Sequence, residues 1–121
     1  MGFLFVALGG ALGAMGRYAI SLIPVKTGFP ILTLVTNALG AVLIGFIVGI
    51  VSERGEVPAN AVLFWKTGVC GGFTTFSTFS LEALSLIQDH QIALAGTYIA
   101  SSVAVCVAGV LLGRHMALLM A

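Results

Sequence analysis

The chain has 121 residues, of which 60% are hydrophobic and only 7% are charged, with a formal net charge of +1. A soluble domain of this size could not hide so much apolar surface, so the composition predicts a membrane protein. The sequence holds no basic patch for nucleic acid, and it holds no nucleophile with a base, paired carboxylates or phosphate loop. We therefore expect neither a nucleic-acid-binding protein nor an enzyme.

Four hydrophobic blocks are each long enough for a spanning helix, which needs about 20 residues. In chain order they are Gly2 to Pro24, Phe29 to Ser52, Ala61 to Gln88 and Ile92 to Met120. The loops between them are too short to form binding modules, so we expect the function to lie within the membrane. The sequence thus predicts an all-α membrane protein with one four-helix transmembrane domain over residues 1–121.

The first block has no basic residues at its start and runs past the length of a signal-peptide core, so we expect a retained helix. Gly9 and Gly13 form a G-x-x-x-G pair, a spacing that lets helix backbones approach closely. Arg17 lies late in the block. It could extend to the interface, contact helix-end carbonyls or attract anions to a vestibule.

On the second block Asn37 shares a face with small residues at every fourth position. Its amide could clamp a neighbouring helix, or it could offer two donors to an anion. The G-x-x-x-G spacing recurs at Gly45 with Gly49 and at Gly109 with Gly113. These pairs indicate either general helix packing or a specific dimer seam.

The third block contains the most distinctive stretch of the chain, GGFTTFSTFS at residues 71–80, with two glycines, five hydroxyls and three aromatic rings. Adjacent glycines weaken a helix by about 1 kcal/mol each, and any backbone group released in hydrocarbon must find a partner in protein or water. We predict that the third helix is broken at Gly71–Thr75 and that the break lines an ion or substrate site.

Phe76 and Phe79 share a helix face just after this break, among the hydroxyls of Ser77 and Thr78. The rings could simply fill a lipid-facing or core surface. Alternatively, ring edges and hydroxyl donors could hold an anion in a dry constriction without a permanent cation. Glu82 follows one turn later and could reach the interface, pair with a base such as Arg17, or influence the mouth of a pore.

The fourth block places Tyr98, Ser101 and Ser102 on one stripe at helical spacing. Such hydroxyls are either interhelical contacts or a polar track, and Ser can also satisfy itself on the carbonyl one turn back. Cys70 and Cys106 fit no metal-site spacing, so we expect small apolar fillers there.

Lysine and arginine are almost evenly divided between the two sides of a four-span topology. Arg54, Arg114 and possibly Lys66 lie on one side, and Lys26 and Arg17 on the other. A chain with so little bias can insert in both orientations, and two opposite copies could pair about an axis in the membrane plane. Alternatively, the loops are so short that their lysine and arginine counts carry no information about orientation.

Three ordered blocks resemble the signature of the Fluc (CrcB) family of fluoride channels: GAMGRY at residues 13–18, TNALG at 36–40 and GVCGGFTTFSTF at 68–79. The resemblance implies an antiparallel, dual-topology homodimer with two pores that passively exports fluoride through the plasma (inner) membrane of a bacterium or similar cell.

The resemblance also implies roles for individual residues. The fluoride pore would be formed by Asn37, Phe76, Ser77, Thr78, Phe79, Tyr98 and Ser102. The backbone carbonyls of Gly71 and Thr74 from both subunits would hold a structural sodium ion at the dimer centre. Arg17 and Glu82 remain candidates for a vestibule.

Two other functions compete with this interpretation. A proton-coupled transporter like the small multidrug exporters also has four helices, but it needs a membrane-embedded carboxylate in its first helix, and this first helix has none. A non-transporting scaffold would use the G-x-x-x-G faces but gives no reason for the Thr/Ser/Phe stretch.

Overall fold

The computed structural model describes residues 1–120, which form helices and no strand. The elements are α1 (Gly2–Ser21), α2 (Ile31–Arg54), α3 (Ala59–Val62), a π-helical segment (Leu63–Cys70), α4 (Gly71–Phe73), α5 (Ser77–Gln88) and α6 (Ile92–Met120). The predicted all-α class is confirmed for the described residues. Helices α1, α2 and α6 are each long and apolar enough to cross a membrane.

Proline, glycine and one left-handed residue set the helix ends. Pro30 stands immediately before α2, where its fixed φ suits a helix start. Gly55 ends α2 in the left-handed conformation, with φ 68°, and its N–H donates to the carbonyl of Val51. His90, with φ 61°, makes the sharp turn from α5 to α6. These turns fold the helices back against one another.

Glycines bring the helix backbones into contact within one chain. A Cβ added at Gly45 would collide with the carbonyl of Val110, and one added at Gly113 with the carbonyl of Val42. The contacts of Gly45 and Gly113 join α2 to α6. In this chain the α2 and α6 pairs therefore serve intramolecular packing.

The same device joins α1 to the π-helical segment. A Cβ at Gly13 would collide with the carbonyl of Val69, and one at Gly9 with the carbonyl of Phe64. The π-helical segment has i→i+5 hydrogen bonding, which the sequence did not predict. Its wider winding changes which side chains share a face, and several of its residues line a cavity.

The third hydrophobic block, Ala61 to Gln88, departs from helical geometry later than we predicted. The prediction placed the break at Gly71–Thr75, but Gly71 and Gly72 lie inside α4. Thr74 is extended, with φ −80° and ψ 158°, and α5 begins only at Ser77. Gly72 serves close packing instead, because a Cβ there would collide with the carbonyl of Gly10. The glycines were thus the wrong explanation for the break.

Candidate functional site

A cavity of about 610 Å³ lies between α6 and the broken third span, with α2 at its floor. Its polar and aromatic lining includes Asn37, Lys66, Thr67, Thr74, Thr75, Phe76, Phe79 and Ser102. Gly71 and Cys106 also line it. Because this cavity lies among spanning segments, polar groups around it can be served by an ion or water rather than by lipid.

Asn37 holds the break in place with both ends of its amide. Its Nδ2 donates to the carbonyl of Thr75 at 2.9 Å, and the N–H of Thr75 donates to its Oδ1 at 2.8 Å. Two backbone groups that the broken helix cannot pair are therefore satisfied from α2. The clamp is one of the two roles considered for Asn37. It uses the acceptor and one N–H, so a second N–H stays available for another acceptor.

Hydroxyls next to the break are mostly used locally. The hydroxyl of Thr74 donates to the carbonyl of Cys70 at 2.8 Å, and the hydroxyl of Thr75 accepts from the N–H of Thr78 at 3.1 Å. These bonds end α4 and start α5. In residues 1–120 the carbonyl oxygens of Gly71 and Thr74 accept no backbone hydrogen bond outside the helices. Two strong acceptors are thereby left beside the cavity.

Arg17 also contacts the broken span. Its Nε donates to the carbonyl of Gly72 at 3.2 Å. A cation at the C-terminal end of a helix complements the partial negative charge of the exposed carbonyls there. Of the three roles considered for Arg17, the structure shows contact with helix-end carbonyls.

A series of aromatic rings runs from the cavity into the protein. Phe76 lies 5.6 Å from Phe79, and Phe79 lies 5.1 Å from Tyr98, between ring centroids. Tyr98 meets Phe29 edge to face at 5.4 Å. Phe76 is 79% exposed, whereas Tyr98 is completely buried. The outer ring is thus free to present an edge to the cavity while the inner rings hold its neighbour in place.

Glu82 fixes the inner end of this series. The hydroxyl of Tyr98 donates to Oε1 of Glu82 at 3.0 Å. The carboxylate therefore accepts from a buried phenol, a partner that the sequence did not predict. A charged acceptor makes this bond stronger than one between neutral groups.

Within residues 1–120, Ser102 carries the one buried side-chain oxygen or nitrogen that has no hydrogen-bond partner. It is 6% exposed, and it lines the cavity. Buried polar groups almost always have a partner in protein, water or a bound species. Ser102 therefore has an unused hydroxyl donor next to the cavity, with its Oγ covered by protein atoms.

The structure brings most, but not all, of the predicted site residues to the cavity. Those that line it are Asn37, Gly71, Thr74, Phe76, Phe79 and Ser102, whereas Ser77, Thr78, Tyr98, Arg17 and Glu82 lie outside its lining. Tyr98 and Glu82 support Phe79 from behind. Sequence reasoning did not assign Lys66 to the site, although a charge inside an apolar span was a visible signal.

Comparison with known proteins gives one consistent result. Residues 4–114 match the family described as "CrcB-like protein, Camphor Resistance (CrcB)". The chain is 41% identical over 115 residues to a Thermococcus gammatolerans protein named "Fluoride-specific ion channel FluC", with 94% of each chain covered.

A protein of the same name from Opitutus terrae is 44% identical over 117 residues, covering 93% of this chain and 89% of the relative. Another from Flavobacterium psychrophilum is 44% identical over 102 residues, covering 82% of each. The names of these relatives describe ion channels, which is a non-enzymatic function.

Proposed function

The chain belongs to the CrcB-like family, and from this premise we propose that it is a fluoride-specific ion channel of the multi-pass membrane type. Relatives with that name align with this chain over nearly their whole length. The observation in this chain that carries the proposal is the unpartnered hydroxyl of Ser102, a residue that lines one cavity together with Phe76, Phe79 and Asn37.

Neutral groups in the lining can bind an anion without a metal ion. The hydroxyl of Ser102, the remaining N–H of Asn37 and the positive ring edges of the two phenylalanines all attract negative charge. None of them is a permanent cation. An anion held by neutral donors can also leave, which a channel requires.

Helix α1 argues against the small-multidrug-exporter alternative. A proton-coupled exporter of that type needs a carboxylate in its first helix, and Gly2–Ser21 contains no aspartate or glutamate. The scaffold alternative does not explain why Asn37 holds an extended Thr74–Thr75 backbone inside a span.

The proposal extends to an antiparallel homodimer with two pores that passively exports fluoride through the plasma (inner) membrane. Two features support a second copy over the cavity. Phe76 is 79% exposed, and a Cβ added at Gly71 would meet nothing within 4 Å. The side of the break that faces away from α1 is therefore open to a partner of the same kind.

In the proposed dimer, a sodium ion fits between the two copies at the open side of the break. The carbonyl oxygens of Gly71 and Thr74 are hard ligands beside the cavity, and neither accepts a backbone hydrogen bond outside the helices of residues 1–120. Two copies would offer four such oxygens. The ion would supply positive charge between two broken spans, and Gly71 and Thr74 would hold it by their backbones.

The direct test is fluoride release from liposomes. The purified chain is reconstituted with potassium fluoride inside, valinomycin is added, and external fluoride is followed with a selective electrode. We expect rapid fluoride release and no release from matched potassium chloride liposomes. Equal release of both anions, or no fluoride release by well-folded protein, would contradict the proposal.

A further inference from the structure

Lys66 is the only residue with a formal charge in the described lining of the cavity. Its side chain is exposed, and no carboxylate lines the cavity beside it. An ionisable side chain within a span is costly in lipid and normally faces the protein interior or a water-filled cavity. The position of Lys66 therefore needs an explanation that general helix packing does not give.

The π-helical segment turns Lys66 towards the cavity. Lys66 and Gly71 are five residues apart, and in an α-helix they would lie about 140° apart around the axis. The i→i+5 bonding of Leu63–Cys70 brings residues five apart towards one face. Accordingly Lys66, Thr67, Cys70 and Gly71 all line the same cavity. The unusual winding thus aligns the cation with the break.

Lys66 lies nearer the start of its helical segment than the break does. It lies seven residues after the start of α3 at Ala59, which is about 10 Å of helix, and eight residues before Thr74. A lysine at that depth can extend its ammonium towards the aqueous end of the cavity. Its charge would act on ions approaching the break without binding them at the narrow part.

We propose that Lys66 sets a positive potential at the mouth of the cavity and thereby concentrates anions there. This inference rests on the proposed function in so far as the anion is fluoride. Focusing of this kind raises the local concentration of an anion and its rate of arrival, and it weakens as salt is added. The neutral donors at Ser102 and Phe76 would then act on an ion already drawn in.

Cys106 provides a measurement of this potential that does not depend on ion flux. Its half-buried thiol lines the same cavity, whereas Cys70 is 2% exposed. The ratio of labelling rates for a negatively and a positively charged methanethiosulfonate reagent of similar size reports the local potential. Cys106→Ala must abolish the labelling, which identifies the reporting thiol.

We expect Lys66→Met to lower the anionic-to-cationic ratio severalfold at an ionic strength of about 0.01 M, where the Debye length is about 30 Å. Lys66→Arg should keep the ratio, and Lys26→Met, a loop lysine outside the cavity lining, should leave it unchanged. At about 1 M, where the Debye length is about 3 Å, the variants should converge.

An unchanged ratio in Lys66→Met, or a change that persists at high salt, would overturn the proposal. Fluoride release is measured on the same samples, and Lys66→Met should slow it only at low ionic strength. If the parent releases no fluoride while the labelling ratio shifts as expected, the proposed function fails and the potential due to Lys66 stands.

Discussion

The seam between α2 and α6 and the cavity beside the broken third span are built on opposite principles. At the seam, Gly45 and Gly113 bring backbone against backbone, so that even one methyl group would collide. At the cavity, a Cβ at Gly71 would meet nothing, Phe76 is largely exposed, and a buried hydroxyl has no partner in the described chain. The comparison indicates that close packing positions the helices, while the region beside the break stays unfilled, as the proposed ion pathway and second subunit require.

The largest effect on stability is expected from a substitution that disrupts the seam between α2 and α6. Gly113→Ala places a methyl group against the carbonyl of Val42, and such overpacking costs about 1–3 kcal/mol. The melting temperature of the purified protein in detergent should fall clearly. Gly96→Ala on the same helix is the matched control, because its Cβ would meet nothing within 4 Å. A Gly113→Ala protein as stable as Gly96→Ala would contradict the seam.

Removing the Asn37 clamp should damage the cavity while sparing the seam. Asn37→Ala removes the partner of the N–H and of the carbonyl of Thr75. Both bonds are part-buried, so water can replace part of each, and the cost stays below the roughly 1–3 kcal/mol of a fully buried unpaired group. We expect fluoride release to fall at least about tenfold and the melting temperature to drop. Asn60→Ala, at an exposed position in α3, is the control. Normal flux in Asn37→Ala would show that the break does not need the clamp.

The two phenylalanines should affect flux more than stability. Phe79→Ile removes ring contacts to Phe76 and Tyr98, and Phe76→Ile removes an exposed ring edge from the cavity. Each variant should lower fluoride release sharply with the dimer intact, as measured by liposome efflux and size-exclusion chromatography. Phe3→Ile, at a 95% exposed position near the N-terminus, should have parental flux. Normal flux in both cavity variants would remove the rings from the pathway.

A smaller effect is expected at Glu82. Glu82→Ala deprives the hydroxyl of Tyr98 of its acceptor, at a cost of about 1 kcal/mol because the bond is only part-buried. Glu82→Gln retains an oxygen acceptor and should be milder. Thermal melts of the two variants test this order. If Glu82→Gln is as unstable as Glu82→Ala, a neutral oxygen acceptor does not replace the carboxylate, and the predicted order is wrong.

Hydropathy alone was sufficient to predict the helical class, because each apolar block exceeds the length that a bilayer requires. The position of the break was not predictable in the same way. Gly71 and Gly72 suggested it by local propensity, but the extended backbone at Thr74 is accompanied by a clamp from Asn37, which is 38 residues from Thr75 in the chain. A long-range contact of this kind leaves no local pattern.

The candidate site was likewise predicted only in part. Asn37, Phe76, Phe79 and Ser102 line the cavity, and all four were visible as polar or aromatic residues within apolar blocks. Lys66 was not assigned to the site, because the sequence analysis counted it only among the charges on one side of the membrane, and the π-helical winding around it has no sequence signature that we recognised.

The central claim is that an anion uses the groups left unpaired in the cavity. Ser102→Ala tests it most directly. Ser101→Ala is the comparison, because the hydroxyl of Ser101 donates to the carbonyl of Tyr98 at 3.3 Å. Because the Oγ of Ser102 has no partner in the described chain, its removal should not lower the melting temperature. The account predicts fluoride release reduced severalfold in a Ser102→Ala protein of undiminished stability. Parental fluoride release from that protein would contradict it.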